Sequence, residues 1–61
     1  MNKKLELVFD SQIKDVTLLV DGVIVGRIDC DEVITTKYTI VILKEGHCIA
    51  TFSNAKLTEI N

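Results

Sequence analysis

The chain has no proline, no tryptophan, one histidine, two cysteines and three glycines in 61 residues. Each scarcity excludes something. Without proline, and with so little glycine, the chain is neither collagen-like nor a flexible linker. Two cysteines allow at most one bridge, and there is no C-x-x-C to suggest redox chemistry. Cys30, Cys48 and His47 are too few to close a four-ligand zinc site without carboxylates or a second subunit. No run of 18 apolar residues exists, so no membrane-spanning helix is expected. The basic start, Met1-Asn2-Lys3-Lys4, meets Glu6 and Asp10 before any apolar run, which argues against a secretory leader. The expected setting is cytoplasmic, with reduced thiols and no membrane association. No glycine-rich phosphate loop is present, and the acidic group Asp29, Asp31 and Glu32 lacks the alternating ligand spacing of a calcium loop. No cofactor or metal is expected, and the acidic group reads as a solvated turn.

What remains is apolar and β-branched. Hydrophobic residues make up 48% of the chain and charged residues 26%, with a net charge of −2, which excludes a disordered tail. Val, Ile and Thr supply 21 of the 61 residues and Ala only two. Side chains stiff at χ1 fit a pleated surface and crowd a helix, so strands are expected throughout.

Leu5, Leu7 and Phe9 alternate with Lys4, Glu6, Val8 and Asp10, the period of a half-buried strand. Asp21-Gly22 lies between the runs Asp15–Val20 and Val23–Ile28, a strong hairpin signal. A regular two-residue loop sets Val20 opposite Val23, Leu18 opposite Val25 and Val16 opposite Arg27 on one face. It sets Leu19 opposite Ile24 and Thr17 opposite Gly26 on the other. Residues 33–36 begin or bridge to a fourth strand. A second hairpin is expected about Glu45-Gly46, with Leu43 opposite Cys48, Val41 opposite Ala50 and Thr39 opposite Phe52. Its reverse face sets Ile42 opposite Ile49 and Ile40 opposite Thr51. The tail 54–61 suits either a helical turn or an edge strand, and the β character of the rest favours the strand. The two hairpins resemble each other loosely when Thr17 is aligned with Thr39. Convergence on hairpin chemistry is the simpler account, and duplication the alternative.

The expected fold is therefore one all-β domain over residues 1–61. It is a small barrel or sandwich of five or six short antiparallel strands built on hairpins turning at 21–22 and 45–46. Both hairpins carry apolar side chains on two faces, more than one small sheet can cover. A domain this short is marginal on its own core, since burial and the entropy of ordering nearly cancel. Self-association is the expected remedy.

No constellation points to catalysis. His47 and Cys48 are neighbours on a strand, point to opposite faces and do not form a nucleophile–base pair. The thiols read as small buried hydrophobes. Arg27, placed on an otherwise apolar face, reads as a packed strand-end residue or as an interface arginine for a carboxylate or phosphate. Tyr38, Thr39 and His47 join Arg27 as candidate binding residues. Nucleic-acid binding is disfavoured, because seven basic residues face nine acidic ones and only Tyr38 is available for stacking. The expected function is a non-enzymatic interaction module, acting as a homo-oligomer that docks on another protein as an inhibitor or adaptor does. Its size suits an accessory protein of a virus or mobile element. The alternatives are an assembly component of a larger particle, a small-ligand binder with pockets between subunits, and a single-strand nucleic-acid binder.

Overall fold

Residues 3–60 are described by the computed structural model; Met1 and Asn2 of the basic start and Asn61 of the tail lie outside the described residues. Seven strands follow one another: β1 (Leu5–Asp10), β2 (Asp15–Val20), β3 (Val23–Asp29), β4 (Glu32–Thr35), β5 (Thr39–Lys44), β6 (His47–Ser53) and β7 (Ala55–Ile60). The all-β expectation holds, with no helix among the described residues. The strand count and the uniform antiparallel pairing do not. There are two open sheets, one of four strands ordered β3-β2-β1-β7 and one of three ordered β4-β5-β6. Among the described residues no sheet closes on itself. β7 joins β1 in parallel, pairing Leu7 with Leu57 and Glu6 with Lys56. A pairing between the first and the last strand leaves no local mark in the sequence, which is why only the strand itself, and not its partner, is expected.

Both hairpin turns are as anticipated. Asp21 and Gly22 lie at φ +52° and +83°, and Glu45 and Gly46 at +53° and +78°, the two positive values that a type I′ turn requires. The register beyond them differs. Val20↔Val23 and Leu19↔Ile24 hold, but the ladder then slips by one residue, so that Leu18 pairs with Gly26, Thr17 with Arg27 and Val16 with Ile28. Val25 is the extra residue of a β-bulge. Ile49 plays the same part in the second hairpin: Leu43↔Cys48 holds, and Ile42 then pairs with Ala50, Val41 with Thr51, Ile40 with Phe52 and Thr39 with Ser53. A one-residue slip moves every later side chain to the other face. Arg27 therefore shares a face with Thr17, away from the core, and Ile28 takes its expected place opposite Val16.

The bulges make the two sheets work. They turn Ile28 and Phe52 inward while Val25 and Ile49 swing out. The buried residues Leu7, Phe9, Val16, Ile40 and Ile42 come from β1, β2 and β5, and Leu18, Ile28, Val33, Ala50, Phe52, Ala55 and Leu57 pack around them. Cys30, between β3 and β4, is the sixth buried residue, only 1% exposed. Both thiols are free, and Cys48 is exposed, which corrects the expectation that it packs inside its hairpin. Cys48 falls in the row of Leu43 and Glu32, on the outer face.

The two three-stranded meanders, β1–β3 and β4–β6, match row by row. Glu6–Leu19–Ile24 corresponds to Glu32–Leu43–Cys48, Leu7–Leu18–Gly26 to Val33–Ile42–Ala50, and Phe9–Val16–Ile28 to Thr35–Ile40–Phe52. Each places its bulge at the third position after the turn glycine, followed by a small residue, Gly26 or Ala50. Over the hairpins the offset is the step from Gly22 to Gly46, set by the turns, and is longer than the step from Thr17 to Thr39 that the sequence suggests.

Candidate functional site

The candidate residues separate into three places. Tyr38 and Thr39 stand together at the start of β5. Thr39 and the strand's far end, where Lys44 pairs with His47, lie about 17 Å apart at 3.3–3.4 Å per residue. His47 is exposed at that far end, and Arg27 is exposed on β3, the edge of the other sheet. Tyr38 and Thr39 line a concavity.

That concavity is a cleft of about 230 Å³ between the β4–β5 turn and the start of β7, lined by residues of 35–40 with Phe52, Asn54, Ala55 and Leu57. The turn that forms it is held locally. The Thr36 hydroxyl accepts from Thr39 N–H at 3.0 Å and donates to the Thr39 carbonyl at 3.3 Å, while Thr36 N–H donates to the same carbonyl at 2.8 Å. These bonds project residues 37 and 38 outward, and Lys37 Nζ lies 5.5 Å from the Tyr38 ring centroid, within cation–π range. Asn54, at φ +56°, makes the sharp β6–β7 corner that brings Ala55 and Leu57 alongside. The floor is apolar (Ile40, Phe52, Ala55, Leu57), and the only charge in the lining is Lys37. Below the usual 300–1,000 Å³ of ligand pockets, the cleft has room for a few heavy atoms. Thr36, Lys37 and Asn54 belong to no chemical motif in the sequence, and the Thr36–Thr39 spacing is the one local signal for them.

The acidic group at 29–32 is structural in its contacts. Asp31 Oδ2 accepts from Glu45 N–H at 2.7 Å, and Asp29 Oδ2 lies 3.8 Å from Lys44 Nζ, an exposed pair of small energetic weight. Among the described residues no three His, Cys, Asp or Glu side chains gather as a metal site. The Cys30 thiol is pushed up from its ordinary range by burial, then by the nearby Asp31 and Asp15 carboxylates, and is held in the unreactive form.

A run of three consecutive exposed hydrophobics lies elsewhere. Val23, Ile24 and Val25 are 63%, 56% and 60% exposed on β3, whose outer edge has no strand beside it among the described residues. The register slip produces this run, because Val25 would have faced inward opposite Leu18 in a regular ladder. Ile13, Ile34, Tyr38, Ile49 and Ile60 are also exposed. Comparison with family models, with curated proteins and with solved structures finds no match to this chain.

Proposed function

We propose that the protein is a non-enzymatic interaction module that works as a homo-oligomer in the cytoplasm. Its two sheets pack face to face as a small sandwich. The observation that carries this reading is a ratio. Eight large hydrophobic side chains stand exposed among the described residues, against six residues buried in the core. Three of the eight are consecutive on an open sheet edge, the kind of surface that soluble proteins ordinarily cover or charge. A second copy of the chain is the partner this surface fits first, since self-association also supplements a core too small to stabilise the chain comfortably. Docking on a further protein, as an inhibitor or adaptor does, is the role this assembly serves. The scattered placement of Arg27, His47 and the Tyr38–Thr39 cleft supports binding over catalysis.

Sedimentation equilibrium from low to high micromolar concentration tests the reading. The expected result is a mass that rises with concentration. A folded monomer across the whole range overturns it. The cleft favours a second reading, capture of a small carboxylate by Lys37 with its short apolar tail on Phe52 and Leu57. Amide shifts confined to residues 36–40 and 54–57 on titration with butyrate support that reading, and an unperturbed spectrum ends it.

A further inference from the structure

The repeat does not stop at two meanders. Counted from the turn glycines, Lys56 of β7 takes the place of Glu32 in β4: the step from Glu32 to Lys56 equals the step from Gly22 to Gly46. β1, β4 and β7 are thus three copies of one leading strand. In the register these residues read Glu6-Leu7-Val8, Glu32-Val33-Ile34 and Lys56-Leu57-Thr58, each with a charge outside, an aliphatic residue toward the core and a β-branched residue outside. The first two copies each begin a meander. The third lies in parallel on the outer edge of the first, with Lys56 beside Glu6 and Leu57 beside Leu7.

β4 has the same role in its sheet as β1, yet among the described residues its outer edge carries no strand, and the outer edge of β7 is also open. We propose that these two edges pair between copies of this chain, β7 of one molecule lying parallel to β4 of the next. The proposal rests on the self-association reading above and assigns it a contact distinct from the β3 edge. The internal β1–β7 pair is the template for it. Lys56 then sits between its own Glu6 and Glu32 of the next copy, giving a carboxylate–ammonium–carboxylate row on the outer face. Leu57 lies between Leu7 and Val33 of the next copy on the inner face, and Thr58 covers Ile34, which is 44% exposed in the single chain. Opposite charges in directly neighbouring positions favour this register over the slip that places Lys56 against Val33. Each added copy also satisfies the free N–H and C=O groups along both edges. β4 offers only four residues, Glu32–Thr35, so each contact is weak. Because the two surfaces differ, the contact is head-to-tail, and it grows into chains or closes into rings.

Charge reversal tests this by sedimentation, with circular dichroism to show that each variant is folded. Glu32 is exposed and pairs only with Leu43 inside its own sheet, so E32K keeps the fold. E32K and K56E each set like charges against each other at the contact, and each is expected to raise the concentration for half-association by about five-fold or more. In an equimolar mixture, the reversed position 32 of one variant meets the reversed position 56 of the other. The unreversed Glu32 and Lys56 of the two variants meet as well. The mixture is therefore expected to associate more tightly than either variant alone. If the wild type associates and E32K associates equally well, or if the mixture is no tighter than its components, this contact is wrong while self-association stands. A wild type that stays monomeric overturns both.

Discussion

The two meanders share a turn, a bulge and a row pattern, but they distribute burial differently. In β4–β6 the central strand places both Ile40 and Ile42 in the core, at 6% and 0% exposure. In β1–β3 the central strand buries Val16 alone, its counterpart to Ile42 is the half-buried Leu18, and the first strand supplies Leu7 and Phe9 instead. The reason lies at the edges. β1 is covered on its outer side by β7 and becomes an interior strand, whereas β4 is an edge of four residues. The same local chemistry thus yields a first strand that carries core weight in one meander and a central strand that carries it in the other.

Truncation at equivalent positions separates the two meanders most strongly. Ile42→Ala removes a fully enclosed side chain and is expected to cost about 2–5 kcal/mol. Leu18→Ala, in the same row of the other meander, is expected to cost about half as much. Chemical denaturation of both variants measures the difference. Equal losses mean that the two central strands are buried alike in solution.

The turns carry the next largest effect. A Cβ at Gly22 or Gly46 meets nothing within 4 Å, so Gly22→Val and Gly46→Val test backbone strain alone. Each is expected to destabilise by about 1–3 kcal/mol, because both sites lie at positive φ. The companion residues differ: Asp tolerates the left-handed region and Glu does so poorly. Glu45→Asn is accordingly expected to raise the melting temperature where Asp21→Asn leaves it nearly unchanged. A loss for Glu45→Asn assigns the Glu45 side chain a stabilising contact that outweighs its backbone strain.

A smaller effect concerns how each turn is tied to its leading strand. Asp21 N–H donates to the Lys4 carbonyl and Asp21 Oδ1 accepts from Lys4 N–H, both at 2.9 Å. In the other meander the carboxylate sits on the leading side: Asp31 Oδ2 accepts from Glu45 N–H, and Asp31 N–H donates to the Leu43 carbonyl at 2.8 Å. Asp31→Ala removes one solvent-exposed bond and is expected to cost about 0.5–1.5 kcal/mol in thermal unfolding. No change shows that water replaces the carboxylate without loss.

The legibility of these features in the sequence follows their range. The turns are legible because Asp-Gly and Glu-Gly satisfy a two-residue geometric need. The strands are legible from Val, Ile and Thr. The bulges are not, because Val25 and Ile49 are ordinary β residues inside apolar runs, and a ladder drawn without them puts Arg27 on the wrong face. Tyr38 and Thr39 stand out as binding candidates, but the cleft they share depends on Asn54, Ala55 and Leu57, brought in by a corner and a parallel pairing that no local pattern announces. An isolated glycine within a strand is the one available signal for a bulge, and Gly26 supplies it.

That glycine gives the finest test of the equivalence. Gly26 and Ala50 occupy the same place, next to the bulge and opposite Leu18 and Ile42. If the meanders are alike here, the backbone at 26 accepts a side chain as it does at 50. A Cβ built on Gly26 meets Leu18 Cδ1 at 3.9 Å, an ordinary contact, and Gly26 is not among the residues at positive φ. The remaining effect acts through the unfolded chain, which has less freedom with alanine than with glycine. Gly26→Ala is therefore expected to stabilise by about 0.4–1 kcal/mol, which raises the melting temperature of so small a domain by roughly 2–8 °C. A fall in melting temperature instead shows that the first bulge needs glycine where the second does not, and the two meanders then differ in backbone as well as in burial.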